Sequence, residues 1–296
     1  MSVRASPYLL LSLAPMFWAL NMVIGRAMRF DIPPVAMSFW RWALAGLILL
    51  PFVARELRAQ WPAIRASWRI LALLGVLSVS LFNTLCYIGL QWTTATNGTL
   101  LNSVIPVLII PIAWILVHEK ARPRQSAGVA LSLLGVLVIV SQGDPQVLLR
   151  LELNRGDVWL FVAMVLWAFY TVLLRWRPKE LSGLPFLACI VYFGLPLLGV
   201  AYLVELASGR GFSFTPGVAL SFAYFGIFPS ILSNLCFNRG VAMVGPNRAG
   251  VFVHLMPVFG IVLSALFLGE RPQFHHFAGM ALVFAGIALS SSGRRL

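Results

Sequence analysis

The chain has 296 residues, of which 60% are hydrophobic and only 10% are charged, and its mean hydropathy is +0.89. Soluble globular proteins carry about 25% charged residues, so the composition excludes an ordinary soluble domain and favours a membrane protein. The formal net charge is +13. The basic residues lie in short gaps between apolar segments, which favours contact with anionic lipid headgroups over nucleic acid.

Ten apolar segments are long enough to cross a bilayer as helices, each of which needs about 20 residues. A barrel strand alternates apolar and polar residues, and these segments do not, whereas a helix satisfies its own backbone hydrogen bonds in lipid. The predicted fold class is therefore an all-α integral membrane protein with ten transmembrane helices. In chain order they cover residues 8–28, 35–54, 69–91, 94–117, 123–142, 156–175, 184–205, 216–238, 247–269 and 274–292.

Ten spans place both termini on the same side of the membrane, and the distribution of basic residues indicates which side. Fifteen basic residues fall on the side of the termini, six fall on the opposite side, and Arg41 lies within the second span. Because loops rich in Lys and Arg stay in the cytoplasm, the N- and C-termini are predicted to be cytoplasmic. The six on the opposite side are Arg26, Arg29, Arg150, Arg155, Arg210 and Arg271.

The two halves of the chain repeat each other. Each copy holds five spans, and because five is odd, the second copy enters the membrane inverted, as in many secondary transporters. The predicted domains are residues 1–143 with the first five helices, an external linker over 144–155, and residues 156–296 with the second five. At an offset of 151 residues the matched pairs include Asn83 with Asn234, Tyr87 with Asn238, Pro106 with Pro257 and Glu119 with Glu270, and at 149 residues Trp18 matches Trp167.

Two related motifs close the fourth span of each half: "NSVIPVLIIPIAWILVHEKARP" (102–123) and "VHLMPVFGIVLSALFLGERP" (253–272). The fifth spans, "AGVALSLLGVLVIV" (127–140) and "AGMALVFAGIALSSSG" (278–293), are also alike. With these motifs the chain resembles the drug/metabolite transporter superfamily, and within it the EamA-like exporters. The resemblance implies a transporter of the bacterial inner membrane. The stretch 82–103 is most similar to amino-acid exporters, which implies export of amino acids, including aromatic and other neutral ones, by alternating access.

Polar side chains at mid-depth are expected to face either a substrate cavity between the repeats or a neighbouring helix. An Asn amide both donates and accepts hydrogen bonds, so it suits the ammonium and carboxylate of an amino acid, although Asn also links membrane helices. The candidates for the cavity wall are Asn21, Asn83, Tyr87, Asn102, Asn234 and Asn238.

Aromatic side chains form a second group of candidates, because their faces can stack on a ring or attract an ammonium. Trp18 and Trp167 recur in both halves, and Tyr170 and Tyr192 extend the set. The alternative for each is a position in the aromatic belt at the membrane interface.

His254 is the group at mid-depth that could titrate near neutral pH. It either bonds a neighbouring helix or lines the cavity. No Asp or Glu falls in the middle of a span, so facilitated transport is expected rather than transport coupled through a carboxylate.

Three further features have expected roles in structure or motion. Pro106 and Pro257 lie inside the fourth and ninth spans and are candidate hinges. Glu119 and Glu270 end those spans, and we expect each to brace the corner by accepting backbone N–H groups where the next helix starts. Arg41 is expected to snorkel to the external interface rather than hold a substrate carboxylate.

Several functions are not expected. Cys86, Cys189 and Cys236 lie in apolar segments without a metal-ligand or disulfide pattern, so no metal site and no cofactor is predicted. No catalytic motif is present, so an enzyme is not expected. The predicted partners are a small-molecule substrate, an amino acid or similar metabolite, and the lipid bilayer. The sequence does not determine the oligomeric state. Two alternative functions remain: export of drugs, nucleosides or other metabolites, and a channel.

Overall fold

A computed structural model of the chain describes residues 6–144, 146–147, 154–268 and 271–292. In that part of the chain ten helices are long and apolar enough to cross a membrane, and no strand occurs. The predicted all-α fold with ten spans is confirmed. The spans are α1 (Pro7–Ala27), α2 (Pro34–Ala59), α3 (Trp68–Gly89), α4 (Leu100–Val117), α5 (Pro123–Val140), α6 (Arg155–Trp176), α7 (Gly183–Ala207), α8 (Pro216–Val244), α9 (Pro246–Leu263) and α10 (Phe274–Ser291).

The start of α1 and the end of α10 lie at the same end of the bundle, where the Tyr8 hydroxyl donates to the Ser291 carbonyl over 3.3 Å. We call this end the terminal face and the opposite end, where α1 ends and α2 begins, the distal face. Several spans begin with a proline in their first turn, among them α1, α2, α5 and α8. Proline is favoured there because its fixed φ suits the helix and its missing N–H has no partner to lose.

The two halves interlock in a symmetric way. The first helix of each half packs against the third and fourth helices of the other half, so α1 contacts α8 and α9 while α6 contacts α3 and α4. The remaining helices pair with their own equivalents, α2 with α7 and α5 with α10. This exchange encloses a space between the halves.

Helices α5 and α10 approach each other closely because glycines face each other along the contact. An ideal Cβ placed on Gly128 would lie 2.5 Å from the Gly286 carbonyl oxygen, and one on Gly135 would lie 2.6 Å from that of Gly279. Small residues allow this approach, and close van der Waals packing is what holds membrane helices together. This pair lies at the edge of the bundle, away from the enclosed space.

The spans that face the enclosed space are interrupted there. α3 contains a π-helical segment, Val76–Phe82, and α8 contains the equivalent segment, Gly226–Leu232. The α4 region has two helices, Ala95–Asn102 and Ile105–Val117, and α9 begins with a short helix and the 3₁₀ turn Val251–His254. Such interruptions are tolerated in a membrane only where protein or a cavity surrounds the backbone.

At the distal face, carboxylates and a guanidinium satisfy backbone groups at helix ends. Glu205, near the end of α7, accepts the N–H groups of Val35 and Ala36 over 3.1 and 2.6 Å, and so caps α2. Arg26, at the end of α1, donates to the Leu90 carbonyl that follows α3. Opposite partial charges at the two kinds of helix end favour both contacts.

Candidate functional site

A small central cavity lies between the two halves and receives side chains from α1, α2, α3, α4, α6, α8 and α9. About 20 Å³ of it is open to the centre of a water molecule, which is room for one water or two. The central cavity is therefore small in this structure. Its wall consists of Trp18, Asn21, Met22, Arg41, Phe82, Asn83, Asn102, Ile105, Trp167, Asn234, Val253 and Met256.

Asn83 and Asn234 hold equivalent places in the two halves, each just after the π-helical segment of its span. Asn83 donates from Nδ2 to the Ser78 carbonyl over 2.9 Å, and Asn234 donates to the Pro229 carbonyl over 3.0 Å. In both cases the acceptor lies five residues earlier, and these backbone contacts fix the amide nitrogen. Asn234 also donates to the Ser230 carbonyl over 3.0 Å, and its Oδ1 is buried without a partner among the described residues.

Arg41 lies in the same cavity wall, towards the distal face, and only 2% of its surface is exposed. Its Nε donates to the Ser230 hydroxyl over 2.6 Å, and its Nη1 donates to Asn21 Oδ1 over 3.0 Å and to the Tyr87 hydroxyl over 2.9 Å. The Tyr87 hydroxyl donates in turn to Asn21 Oδ1 over 3.0 Å. The expectation that Arg41 snorkels to the interface is wrong, because its polar partners lie within the bundle.

Aromatic rings close the cavity on the side of the terminal face. The Trp18 and Trp167 rings meet edge to face with centroids 5.2 Å apart, and Phe237 lies 5.2 Å from Trp18 and 5.6 Å from Trp167. Phe82 lies 4.5 Å from Trp167. We call Trp18, Phe82, Trp167 and Phe237 the aromatic layer. Its members come from both halves of the chain, so movement of one half against the other would separate them.

Beyond the aromatic layer a larger hollow opens near the terminal face, with about 670 Å³ open to the centre of a water molecule. Arg177, Phe186 and Arg239 are among the residues that line it, and we call it the vestibule. Tyr170 and Asn238 lie between the two spaces: their side chains bond over 2.9 Å, the Tyr170 ring is 4.9 Å from that of Trp167, and Asn238 lines the vestibule.

The structure thus brings together most of the residues proposed from the sequence. Trp18, Asn21, Asn83, Asn102, Trp167 and Asn234 line the central cavity. Tyr87 does not line the cavity but accepts a hydrogen bond from Arg41, which does. Tyr170 and Asn238 lie on the vestibule side of the aromatic layer.

Tyr192 and His254 do not line the cavity. The Tyr192 hydroxyl donates to the Gly46 carbonyl over 2.8 Å and so links α7 to α2. His254 is fully buried between Ser132 Oγ at 2.5 Å from Nδ1 and the Ser103 carbonyl at 2.9 Å from Nε2. Since a carbonyl only accepts, Nε2 carries a proton and donates it, and a neutral ring accepts from Ser132. His254 therefore joins three helical segments.

The two prolines lie in the spans as predicted but not in the middle of an α-helix. Pro106 lies in the first turn of the helix Ile105–Val117, and Pro257 lies in the first turn of Leu255–Leu268. Neither removes a helical hydrogen bond at that position. Both adjoin the interrupted backbone beside the cavity, and their role as hinges stays a proposal.

Glu119 contacts the other half of the chain instead of the next helix. Its Oε1 accepts from Asn247 Nδ2 over 3.1 Å, whereas Gln125 accepts the Arg122 N–H at the start of α5. The expected backbone contact at that helix start is therefore made by another side chain. Glu270 lies outside the described residues.

Acidic side chains do not line the cavity in the described part of the chain. Asp157 accepts from the Thr93 hydroxyl over 2.5 Å and from the Asn154 N–H over 2.9 Å, so it serves the start of α6. No cluster of three or more His, Cys, Asp or Glu side chains among the described residues could hold a metal ion. The polar groups of the cavity wall are therefore four amides, one guanidinium and the indole N–H groups of two tryptophans.

The sequence pattern of the EamA-like transporter family matches residues 5–141 and again 154–292, which is nearly the whole chain and one match for each half. The chain belongs to the EamA-like transporter family. It is a multi-pass membrane protein, and its two matches agree with the internal repeat.

Known proteins are similar to this chain over most of its length. An uncharacterized transporter of Archaeoglobus fulgidus is 27% identical over 98% of this chain and 99% of its own. The uncharacterized transporter YyaM of Bacillus subtilis is 28% identical over 88% of this chain and 85% of its own. A solved crystal structure that covers 97% of both chains has a TM-score of 0.76 at 18% identity, which shows a shared fold.

Arg41 is the cavity residue that sequence reasoning placed wrongly, and Ser230, Phe82 and Phe237 were not proposed at all. The sequence contains one usable signal for Arg41, since it is the basic residue that falls within a span. An ionisable residue inside a membrane generally faces a cavity or partner.

Proposed function

We propose that this member of the EamA-like family exports amino acids across the bacterial inner membrane, with both termini in the cytoplasm. The observation that carries the proposal is the central cavity, where amides from both repeats face an aromatic layer. Amides serve both charged ends of a zwitterion, and aromatic faces suit an apolar side chain or an ammonium. The assignment of cytoplasmic termini rests on the excess of basic residues on the terminal face.

The proposed mechanism is alternating access through the cavity between the repeats. The proposal is supported by the position of the aromatic layer, which lies between the small central cavity and the vestibule at the terminal face. We propose that a substrate enters through the vestibule, that the halves move about the interrupted segments near Pro106 and Pro257, and that the cavity then opens to the distal face.

The proposed transport is facilitated rather than coupled through a carboxylate. Proton- or sodium-coupled transport generally places a titrating or cation-binding group in the pathway, whereas no acidic side chain in the described part of the chain lines the central cavity, and Glu205 and Asp157 serve helix starts. Facilitated transport predicts that a concentration gradient of the amino acid is sufficient to drive its flux across the membrane.

Uptake into liposomes tests the proposal. Purified protein is reconstituted, and uptake of each labelled amino acid is measured with and without a pH gradient. We expect saturable uptake of at least the aromatic and other neutral amino acids, and no accumulation driven by the pH gradient. If no amino acid is taken up, the proposed substrate class is wrong. If a pH gradient drives uptake against the amino-acid gradient, the proposal of facilitated transport is wrong.

A second candidate substrate class is the nucleosides and planar drugs, because their rings could stack on the aromatic layer. Unlabelled nucleosides and planar cationic drugs are included as competitors in the same assay. Competition stronger than that of any amino acid favours this second class.

A further inference from the structure

The environment of Arg41 is unusual for a buried charge. The Cα of Arg41 lies about 10 Å along α2 from its distal end, given a helical rise of 1.5 Å per residue. Its hydrogen-bond partners are Ser230, Asn21 and Tyr87, all neutral, and the Trp42 ring lies 5.3 Å from Cζ. A buried charge normally has a counter-charge, because leaving one unpaired in low dielectric is costly.

The hydrogen-bond inventory of Arg41 leaves one nitrogen for a ligand. A guanidinium has five N–H groups. The Nε group serves Ser230, and the two on Nη1 serve Asn21 and Tyr87. The two on Nη2 donate to none of the described residues, while Arg41 lines the central cavity. Three neighbours fix the orientation of the side chain, so two N–H groups of a positively charged guanidinium are held in the wall.

A matching acceptor without a partner belongs to a residue of the same cavity wall. Asn234 Nδ2 is held by the Pro229 and Ser230 carbonyls, which fixes the amide so that Oδ1 is the free end. That oxygen is buried and has no partner in the described part of the chain. Ser230 connects the two groups, because its hydroxyl accepts from Arg41 and its carbonyl accepts from Asn234. One residue, Ser230, therefore contacts both Arg41 and Asn234.

We propose that Arg41 is a carboxylate-binding residue of the transport site and that Asn234 Oδ1 accepts from the ammonium of the same ligand. The ligand class is then the zwitterionic α-amino acids, with the carboxylate on the distal side and the side chain against the aromatic layer. This proposal rests on the proposed function and adds to it the group that binds the substrate carboxylate. Amines and cationic drugs lack the group that Arg41 binds, and its charge repels them.

The test compares ligands that differ in one charged group. For phenylalanine and for leucine, binding to the purified protein is measured together with three analogues: the carboxamide, the decarboxylated amine, and the acid without its amino group. The wild-type protein is expected to bind each amino acid roughly 10- to 100-fold more tightly than its carboxamide or amine, since hydrogen bonds to a charged group give about that factor.

Two variants assign the preference to particular atoms. Arg41→Gln is expected to remove the preference for the amino acid over its carboxamide, while Asn234→Leu is expected to remove the preference for the amino acid over the acid without an amino group. Arg26→Gln is the matched control, because Arg26 donates to the Leu90 carbonyl away from the cavity. It is expected to leave all ratios unchanged.

The outcomes separate this inference from the proposed function. Equal binding of amino acid and carboxamide by the wild-type protein overturns the inference, whether or not any variant folds, even if amino acids are transported. A second outcome is that the acids without an amino group bind as tightly as the amino acids and that Arg41→Gln loses this binding. That result supports the carboxylate site but contradicts amino-acid export. Transport of a ligand without a carboxylate, unchanged in Arg41→Gln, overturns the inference. Binding of none of these ligands overturns both.

Discussion

Single side chains around the cavity are held in place by neighbours from other helices. Tyr87 of α3 accepts from Arg41 of α2 and donates to Asn21 of α1, so three helices meet at one hydroxyl. All three residues are at least 96% buried. Removal of one partner leaves a buried donor unpaired, which costs more than the hydrogen bond contributes.

Tyr87→Phe tests this arrangement. The substitution keeps the ring but leaves one Nη1 proton of Arg41 without an acceptor. We expect a loss of about 1–2 kcal/mol in the free energy of unfolding and weaker amino-acid binding. Thermal unfolding in detergent and binding measure the two effects. Tyr8→Phe is the control, since the Tyr8 hydroxyl is bonded at the terminal face. Equal effects of both substitutions would contradict a role specific to the cavity.

Residue positions show where sequence reasoning succeeds and where it fails. Asn83 and Asn234 could be proposed because the repeat relates them, and the structure has both in the cavity wall. Arg41 could not be placed, because flanking tryptophans and proximity to a span end are also typical of an interfacial residue. Its actual partners come from α1, α3 and α8, and only tertiary packing brings them to it.

Helices are the level at which the sequence is most informative. Ten apolar runs predict ten spans because each run must satisfy its backbone within lipid. The π-helical segments and the break near Asn102 were not predicted, since they depend on how the halves pack. Tyr192 was misplaced for the same reason, because the pattern of α7 does not indicate which face meets α2.

Helix α2 begins with a cap from another helix, and this cap can be tested. Glu205→Gln removes the charge and one acceptor from the N–H groups of Val35 and Ala36. The expected destabilisation is about 1 kcal/mol, measured as a lower unfolding temperature. Glu56→Gln is the control at an exposed position in the same helix. An unchanged unfolding temperature in Glu205→Gln would show that the cap does not stabilise the fold.

The contact between α5 and α10 predicts a steep cost for added volume. Gly128→Ala places a methyl carbon 2.5 Å from the Gly286 carbonyl oxygen before any atom moves. We expect about 1–3 kcal/mol of destabilisation from overpacking. At Gly260 no atom lies within 4 Å of the added Cβ, so Gly260→Ala is expected to be neutral or stabilising. If both variants unfold at the wild-type temperature, the contact between α5 and α10 does not limit the volume of the side chain at Gly128.

The whole molecule consists of two interlocked copies whose interrupted helices meet at the cavity. The first helix of each copy lies against the other copy. A movement of one half that opens the cavity therefore also changes its contacts with helices of the other half. Interrupted segments recur in equivalent places, at 76–82 and 226–232. The proposed alternating access, in which the cavity is exposed to one face at a time, relies on this arrangement.

Substitution of the prolines tests the proposed motion. Pro106→Ala and Pro257→Ala allow the helices that begin there to extend backwards through the break. We expect the maximal transport rate to fall several-fold with little change in the half-saturating concentration, because the site itself is kept. Pro196→Ala, within α7, is the comparison. A rate reduced equally by Pro196→Ala would remove the case for hinges at the cavity.

Counterflow of amino acids in liposomes tests the central claim most directly. Liposomes containing the protein are loaded with an unlabelled amino acid, and entry of the same labelled amino acid is followed over time. A carrier with one central site predicts a transient accumulation of label above its equilibrium level, and loss of that accumulation when Asn83 and Asn234 are both changed to Ala. The absence of accumulation for all twenty amino acids, or a flux that rises linearly with concentration, would contradict amino-acid exchange through this cavity.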